Sequence, residues 1–135
     1  MILLDTHALI WFVAGERLKR SAAHEIAQAS QDRALAISSL TSWEIGTLVR
    51  KQRLDLGIPA ANYLQQILAR RDMMEIPVTV PIGLRAAALS PDLHGDPMDR
   101  ILVSTAIEHN CPIVTRDRRI LDFAKKSGAF SAIAC

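Results

Sequence analysis

Five short apolar runs alternate with longer stretches whose apolar residues are spaced for one face of a helix, and this alternation constrains the fold more than any other feature. Strands with helices between them are joined by crossovers, and crossovers build a parallel sheet covered on its faces. The runs lie at 2–4, 34–37, 75–78, 112–115 and 130–133, the last reading as a short edge strand. Pro77 and Pro81 blur the boundaries of the third. Helical spacing is expected at 8–13, 21–29, 42–51, 59–71, 82–89, 97–108 and 119–126, with Pro59 in a first turn and Gly128 as a stop. The pair at 42–71 has no strand between its members, and its joint KQRLDLGIP is a turn signal. Such a helical hairpin serves either as a surface for a partner or as a cover on one sheet face.

At 135 residues the chain has the size of one ordinary domain, and half of its residues are apolar, enough for a real core. Cys111 and Cys135 show no metal-ligand spacing and no disulfide framework, which suits a reducing cytoplasm. The opening MILLDTHALIWFVAGE has an acid at position 5 and no basic lead-in, unlike a signal peptide. No apolar run is long enough to cross a bilayer. A net charge of +2 is too small to announce a nucleic-acid binder, although most of the basic residues are arginine. Arg116, Arg118 and Arg119 crowd around Asp117, as a phosphate-contacting cluster or as a solvated helix face.

Acidic residues fall where strands end and helices begin. Asp5 closes the first strand, Glu44 follows the second in SSLTSWEIGTL, and Asp117 closes the fourth in IVTRDRR. Each has a local explanation: Asp5 and Asp117 as helix N-caps, Glu44 as the partner of Thr41 in a capping box. In HGDPMDRILVSTAIEHN, Asp96 fits an N-cap, Pro97 the first helical position and Asp99 the third, so either acid has a structural role available. The set is harder to explain locally than its members. Carboxyl ends of parallel strands converge in space, so Asp5, Glu44, Asp99 and Asp117 would meet and raise one another's pKa values unless a cation neutralises them. Oxygen donors of this kind suit Mg²⁺ or Mn²⁺ better than zinc.

Four segments in register, LLDTHALIW, SWEI, HGDPMDRILVSTA and IVTRDRRI, resemble the PIN-domain ribonucleases, specifically the VapC-like toxins of toxin–antitoxin pairs. The resemblance spans nearly the whole chain. It implies a single PIN-like domain over residues 1–135, a three-layer α/β sandwich with a central, mostly parallel sheet. It also implies Mg²⁺-dependent endoribonuclease activity with Mn²⁺ able to substitute, a small antitoxin partner, and a homodimer. Carried over by residue, Asp5, Glu44, Asp99 and Asp117 form the catalytic acid set, with Asp5, Asp99 and Asp117 as metal ligands. Asp96 and Thr115 support that set from behind, Pro97 and Arg100 belong to a DPxDR pattern, and Arg116, Arg118 and Arg119 follow the RNA backbone. His7 and His94 lie near the site as hydrogen-bonding neighbours rather than metal ligands or bases.

Other chemistries fit less well. A haloacid-dehalogenase-like phosphatase needs a second acid two residues after the first-strand aspartate, where this chain has His7. A zinc hydrolase needs clustered histidines such as HExxH, which are absent. A catalytically inactive PIN-fold module that binds RNA or protein remains the alternative, weakened by the presence of all four acids.

Overall fold

The computed structural model describes residues 1–135. The chain runs β1 (Ile2–Leu4), α1 (Thr6–Ala14), α2 (Arg20–Gln31), β2 (Leu35–Ser38), α3 (Leu40–Arg50), α4 (Ala60–Leu68), β3 (Met73–Ile76), α5 (Val80–Ala88), α6 (Pro97–His109), β4 (Ile113–Thr115), α7 (Arg118–Ser127) and β5 (Ala132–Ala134). The five strands form one sheet in the order β3-β2-β1-β4-β5, and every neighbouring pair is parallel. The chain first steps outward from β1 through β2 to β3, then returns to the other side of β1 for β4 and β5. The switch therefore lies between β1 and β4, and the crevice at their carboxyl ends is where such sheets bind ligands.

The period of two along each strand sorts side chains into two cores. Ile2, Leu4, Leu35, Ile37 and Val114 pack with α1, α2, α3 and α4 through Leu9, Ile26, Ile45 and Ile67. Leu3, Ala36 and Ile113 point the other way, onto Leu102, Val103, Ile120 and Phe123 of α6 and α7. Helix α5 packs against α6, where the buried Ser104 hydroxyl donates to the Ile82 carbonyl at 2.7 Å. The result is the covered parallel sheet that the alternating runs predict, in the three-layer form that the resemblance implies. No helix is long and apolar enough to cross a membrane.

Three local expectations shift. Strand β3 begins two residues earlier than expected and ends before Pro77. Helix α4 stops at Leu68, and Asp72 anchors the turn, accepting from Arg70 Nη2 at 2.7 Å and from the Ser30 hydroxyl. This lets Met73 enter the ladder and leaves the proline, which has no N–H to offer, outside it. Strand β5 moves later, to Ala132–Ala134, because Phe130 is held against Phe123 with ring centroids 6.1 Å apart. The capping box of Thr41 and Glu44 does not form: α3 begins at Leu40 with Ser39 as its cap, and Thr41 is buried one position inside. Glu44 is thereby released from a local duty.

Candidate active site

At the end of β1 the Asp5 main-chain N–H still pairs with the Val114 carbonyl, and its side chain turns to cap α1, accepting from the Ala8 N–H at 2.7 Å. Its other oxygen accepts from the Thr115 hydroxyl. The same Thr115 oxygen accepts from the Asp117 N–H at 3.0 Å, so one fully buried threonine ties the β1–α1 turn to the β4–α7 turn. Asp117 caps α7 through the Arg119 N–H at 2.8 Å and forms an ion pair with the Arg119 guanidinium at 2.9 Å.

At the start of α6 the two neighbouring acids separate. Asp96 Oδ1 accepts from the Met98 N–H at 2.9 Å and the Asp99 N–H at 3.4 Å, which makes it the N-cap. Asp99 projects one turn further and accepts no main-chain hydrogen bond. It faces His94 Nε2 at 3.0 Å and Arg119 Nη2 at 3.8 Å. The Asp96 N–H donates to His94 Nδ1 at 3.2 Å, which turns Nε2 toward Asp99. That nitrogen is buried without an aligned hydrogen bond, so its 3.0 Å approach to Asp99 is an electrostatic contact.

Asp5, Glu44, Asp96, Asp99 and Asp117 line one pocket of about 350 Å³, together with Arg116 and Arg119. Burial holds the carboxyl of Asp5 above its ordinary range, partly offset by the Thr115 and Ala8 bonds. Glu44 is also raised, first by burial, with Thr6 opposing. Asp99 is pushed up to about 6, by burial first and then by Asp96 and Asp117, against the pull of His94 and Arg119. Asp117 goes the other way, because Arg119 holds its charge. Three of the four acids are raised as expected, but burial is the first cause in each and the repulsion among the carboxylates a lesser one.

Donor atoms of His94, Asp99 and Asp117 lie within 4.8 Å of one another, close enough to share an ion. Asp5 and Glu44 line the same pocket outside that trio. Oxygen donors with one imidazole, and carboxylates of which Asp5, Glu44 and Asp99 are raised while only Asp117 is firmly paired with a cation, Arg119, are what a hard divalent cation suits. Of the arginines, Arg119 lies among the acids. Arg116 lies over Trp11, its guanidinium carbon 3.7 Å from the ring centroid, while its Nε donates to the Cys135 carbonyl. Arg118 does not line this pocket. His7 lines it and tilts against Trp11 at 5.7 Å.

One residue acts in a way its sequence context did not reveal. The Arg100 guanidinium donates to the carbonyls of Ala86, Leu89 and Leu93, among others, pinning the end of α5 and the loop that delivers His94 and Asp96. A rigid fork with five N–H donors suits such carbonyl-rich ends. Its place beside Asp99 in DPMDR is the only trace of this in the sequence.

A model of the PIN domain matches residues 2–126. Ribonuclease VapC22 of Mycobacterium tuberculosis (strain ATCC 25618 / H37Rv) is 34% identical over 120 residues, covering 88% of each chain.

The chain belongs to the PIN-domain family.

Solved structures agree on the fold. The VapBC2 crystal structure from Rickettsia felis, bound to a promoter DNA fragment, gives a TM-score of 0.71 at 18% identity, covering 100% of this chain and 99% of that one. A toxin–antitoxin complex from Klebsiella pneumoniae gives 0.62 at 24% identity, covering 98% and 96%. Within this PIN domain, the matched residues span every strand except β5, and they include all five carboxylates of the pocket.

Proposed function

We propose that this PIN domain is a metal-dependent endoribonuclease, the toxin half of a toxin–antitoxin pair. The observation that carries the reading is the convergence of five carboxylates in one pocket at the switch between β1 and β4, in a chain similar to a ribonuclease over most of its length. Asp5, Asp99 and Asp117 would hold Mg²⁺, with Mn²⁺ able to substitute, although Asp5 lines the pocket outside the close trio that His94 makes with Asp99 and Asp117, and Glu44 completes the acid set. When bound, such an ion lowers the pKa of a coordinated water and offsets charge on a phosphodiester.

The chain's own groups supply position. Thr115 fixes the orientation of Asp5 and the path of the β4–α7 turn. Asp96 spends one oxygen on the α6 cap and supports Asp99 from behind rather than taking the ion. Arg116 and Arg119, at the pocket rim, face the phosphates of a bound strand, and Arg118 extends that contact outside it. Residues 1–135 are read as one domain, since β5 completes the sheet that the family match begins. A small antitoxin, a homodimer and a cytoplasmic location follow from the resemblance of the motifs. Two free, buried cysteines suit that compartment.

The test is cleavage of pooled total RNA by purified protein with Mg²⁺, with EDTA, and with Asp99→Asn in place of the wild type. Cleavage is expected only with the metal and Asp99 together, and Asp96→Asn, which keeps a good cap, should still cut. Cleavage lost in Asp96→Asn but kept in Asp99→Asn would reverse the assignment of the two acids. RNA binding without cleavage under any condition would instead favour an inactive binding module.

A further inference from the structure

Beside the acidic pocket lies a second cleft of about 490 Å³, and its lining is of opposite character. Arg17 and Lys19 come from the loop between α1 and α2, and Arg116 and Arg118 from the β4–α7 turn, with Leu18 and Leu121 between them. No aspartate or glutamate lines it. Arg17, Lys19 and Arg118 take part in none of the chain's ion pairs. Arg116 lines both cavities, so the two adjoin at its side chain. Its guanidinium is fixed at that junction by the Trp11 ring on one side and the Cys135 carbonyl on the other.

Four cations gathered with no acidic side chain among them repel one another, and an anion in the cleft would relieve that repulsion. Guanidinium groups suit phosphate in particular, with paired N–H donors and weak hydration. The acidic pocket poses the complementary problem. Its five carboxylates repel a polyanion, so a strand must be attracted by charge placed next to them.

We propose that the cleft of Arg17, Lys19, Arg116 and Arg118 is a phosphate-binding subsite that holds single-stranded RNA where it leaves the acidic pocket. This rests on the ribonuclease reading and adds to it two residues, Arg17 and Lys19, that lie about a hundred positions from the other basic groups in sequence. The shared Arg116 selects RNA over an acidic protein segment as the occupant. A strand whose scissile phosphate sits among the acids and runs on past that residue meets the basic cleft, whereas an acidic peptide would be repelled from the carboxylate side.

Both new residues are exposed, and Lys19 makes no side-chain cap bond to α2, so their removal should leave the fold intact. The experiment measures anisotropy of a labelled single-stranded RNA of mixed sequence, in an Asp99→Asn background to prevent cutting, between about 50 and 200 mM KCl. Arg17→Gln with Lys19→Gln is compared with the parent and with Arg50→Gln plus Lys51→Gln, which removes the same charge from the end of α3. Each lost phosphate contact lowers the salt slope by about 0.7, so the cleft variant should be shallower by about 1.4 and the control unchanged. With Asp99 restored, the cleft variant should show a higher KM at unchanged kcat.

A slope unchanged in the cleft variant, or lowered equally in the control, overturns the subsite while leaving the ribonuclease reading in place. Weaker binding of an antitoxin with an unchanged RNA slope overturns it too, and gives the cleft to that partner. If the wild type neither binds nor cuts any RNA, the ribonuclease reading itself fails and the subsite with it.

Discussion

The turns β1–α1 and β4–α7 are built alike and end in opposite electrostatic states. Each strand stops at or just before an aspartate whose side chain caps the next helix, Asp5 through the Ala8 N–H and Asp117 through the Arg119 N–H. Thr115 bonds to both. Yet burial raises the pKa of Asp5, while that of Asp117 is lowered. The difference lies in the residues just after the cap. The first turn of α1 is Thr6-His7-Ala8, with no fixed cation, whereas α7 opens with Arg118-Arg119 and folds the second guanidinium back onto its own cap. A helix-start signal thus specifies where a carboxylate points, and burial with neighbouring charge decides what that carboxylate costs.

The largest test separates capping from charge. Asparagine caps a helix about as well as aspartate, so Asp5→Asn and Asp117→Asn should keep both turns while deleting one negative charge each. Cleavage of RNA should fall at least about a thousandfold in either, roughly 4 kcal/mol of transition-state stabilisation. Melting temperatures in chelator should then move in opposite directions, up for Asp5→Asn and down for Asp117→Asn. Shifts of the same sign would show that the two turns are not electrostatic opposites. In Mg²⁺ the increment in melting temperature seen for the wild type should shrink in both.

Thr115→Val breaks the link between the turns without changing the side chain's shape. It removes the donor to Asp5 and the acceptor for the Asp117 N–H, and leaves a half-buried N–H without its partner. A loss of about 1–3 kcal/mol is expected on denaturant unfolding. Groups that orient metal-binding side chains typically contribute about 10–100-fold, so cleavage should drop by that factor. Full activity in a destabilised variant would reduce Thr115 to a packing residue.

A third carboxylate, Asp99, faces both turns and supplies a test in pH. Its native pKa of about 6 lies above its ordinary 3.8, so between these values the native chain binds a proton that the unfolded chain releases. Stability in chelator should therefore fall as pH rises from about 4 to about 6, by at most about 3 kcal/mol. Asp117 works with the opposite sign: its contribution is present above its unfolded pKa and is lost as pH falls through its lower native value. Asp99→Asn should shrink the decline between about pH 4 and 6, leaving the part that the raised Asp5 and Glu44 carboxyls supply, and should leave the acid-side loss in place. A decline that persists undiminished in Asp99→Asn would assign it to Asp5 or Glu44.

Much of this architecture is legible in the sequence. The alternation of apolar runs gives the sheet and its layers, and the caps at Asp5, Asp96 and Asp117 can be read directly because capping is local. The features that escape such a reading depend on distant partners. Glu44 matches a capping box with Thr41, but the helix starts earlier and frees it for the pocket. The trio of His94, Asp99 and Asp117 needs Arg100 to pin a loop onto α5, a contact between residues as much as 14 positions apart. The shift of β3 turns on Asp72 and Ser30, which are 42 positions apart. Residue types and local spacing carry no record of such pairings.

The smallest expected effect is the one that tests the cause of the contrast. If Arg119 alone makes the β4–α7 turn differ from β1–α1, then Arg119→Gln should turn the first into a copy of the second. The Asp117 carboxyl would lose its guanidinium partner and its pKa should rise, which carbon-detected NMR titration of the Asp117 side chain would read directly. Arg119 is exposed and can be replaced without disturbing the core, and its main-chain N–H would still donate to the cap. Removing a cation that lies against both Asp99 and Asp117 also removes a competitor for a divalent ion, so apparent Mn²⁺ affinity, followed by thermal shift, should rise a few-fold. If the same guanidinium meets RNA phosphate, KM should rise in the same variant, so metal and RNA affinities should move in opposite directions. Parallel loss of both would mean that Arg119 holds Asp117 in its working position, and that the two turns differ in geometry as well as in charge.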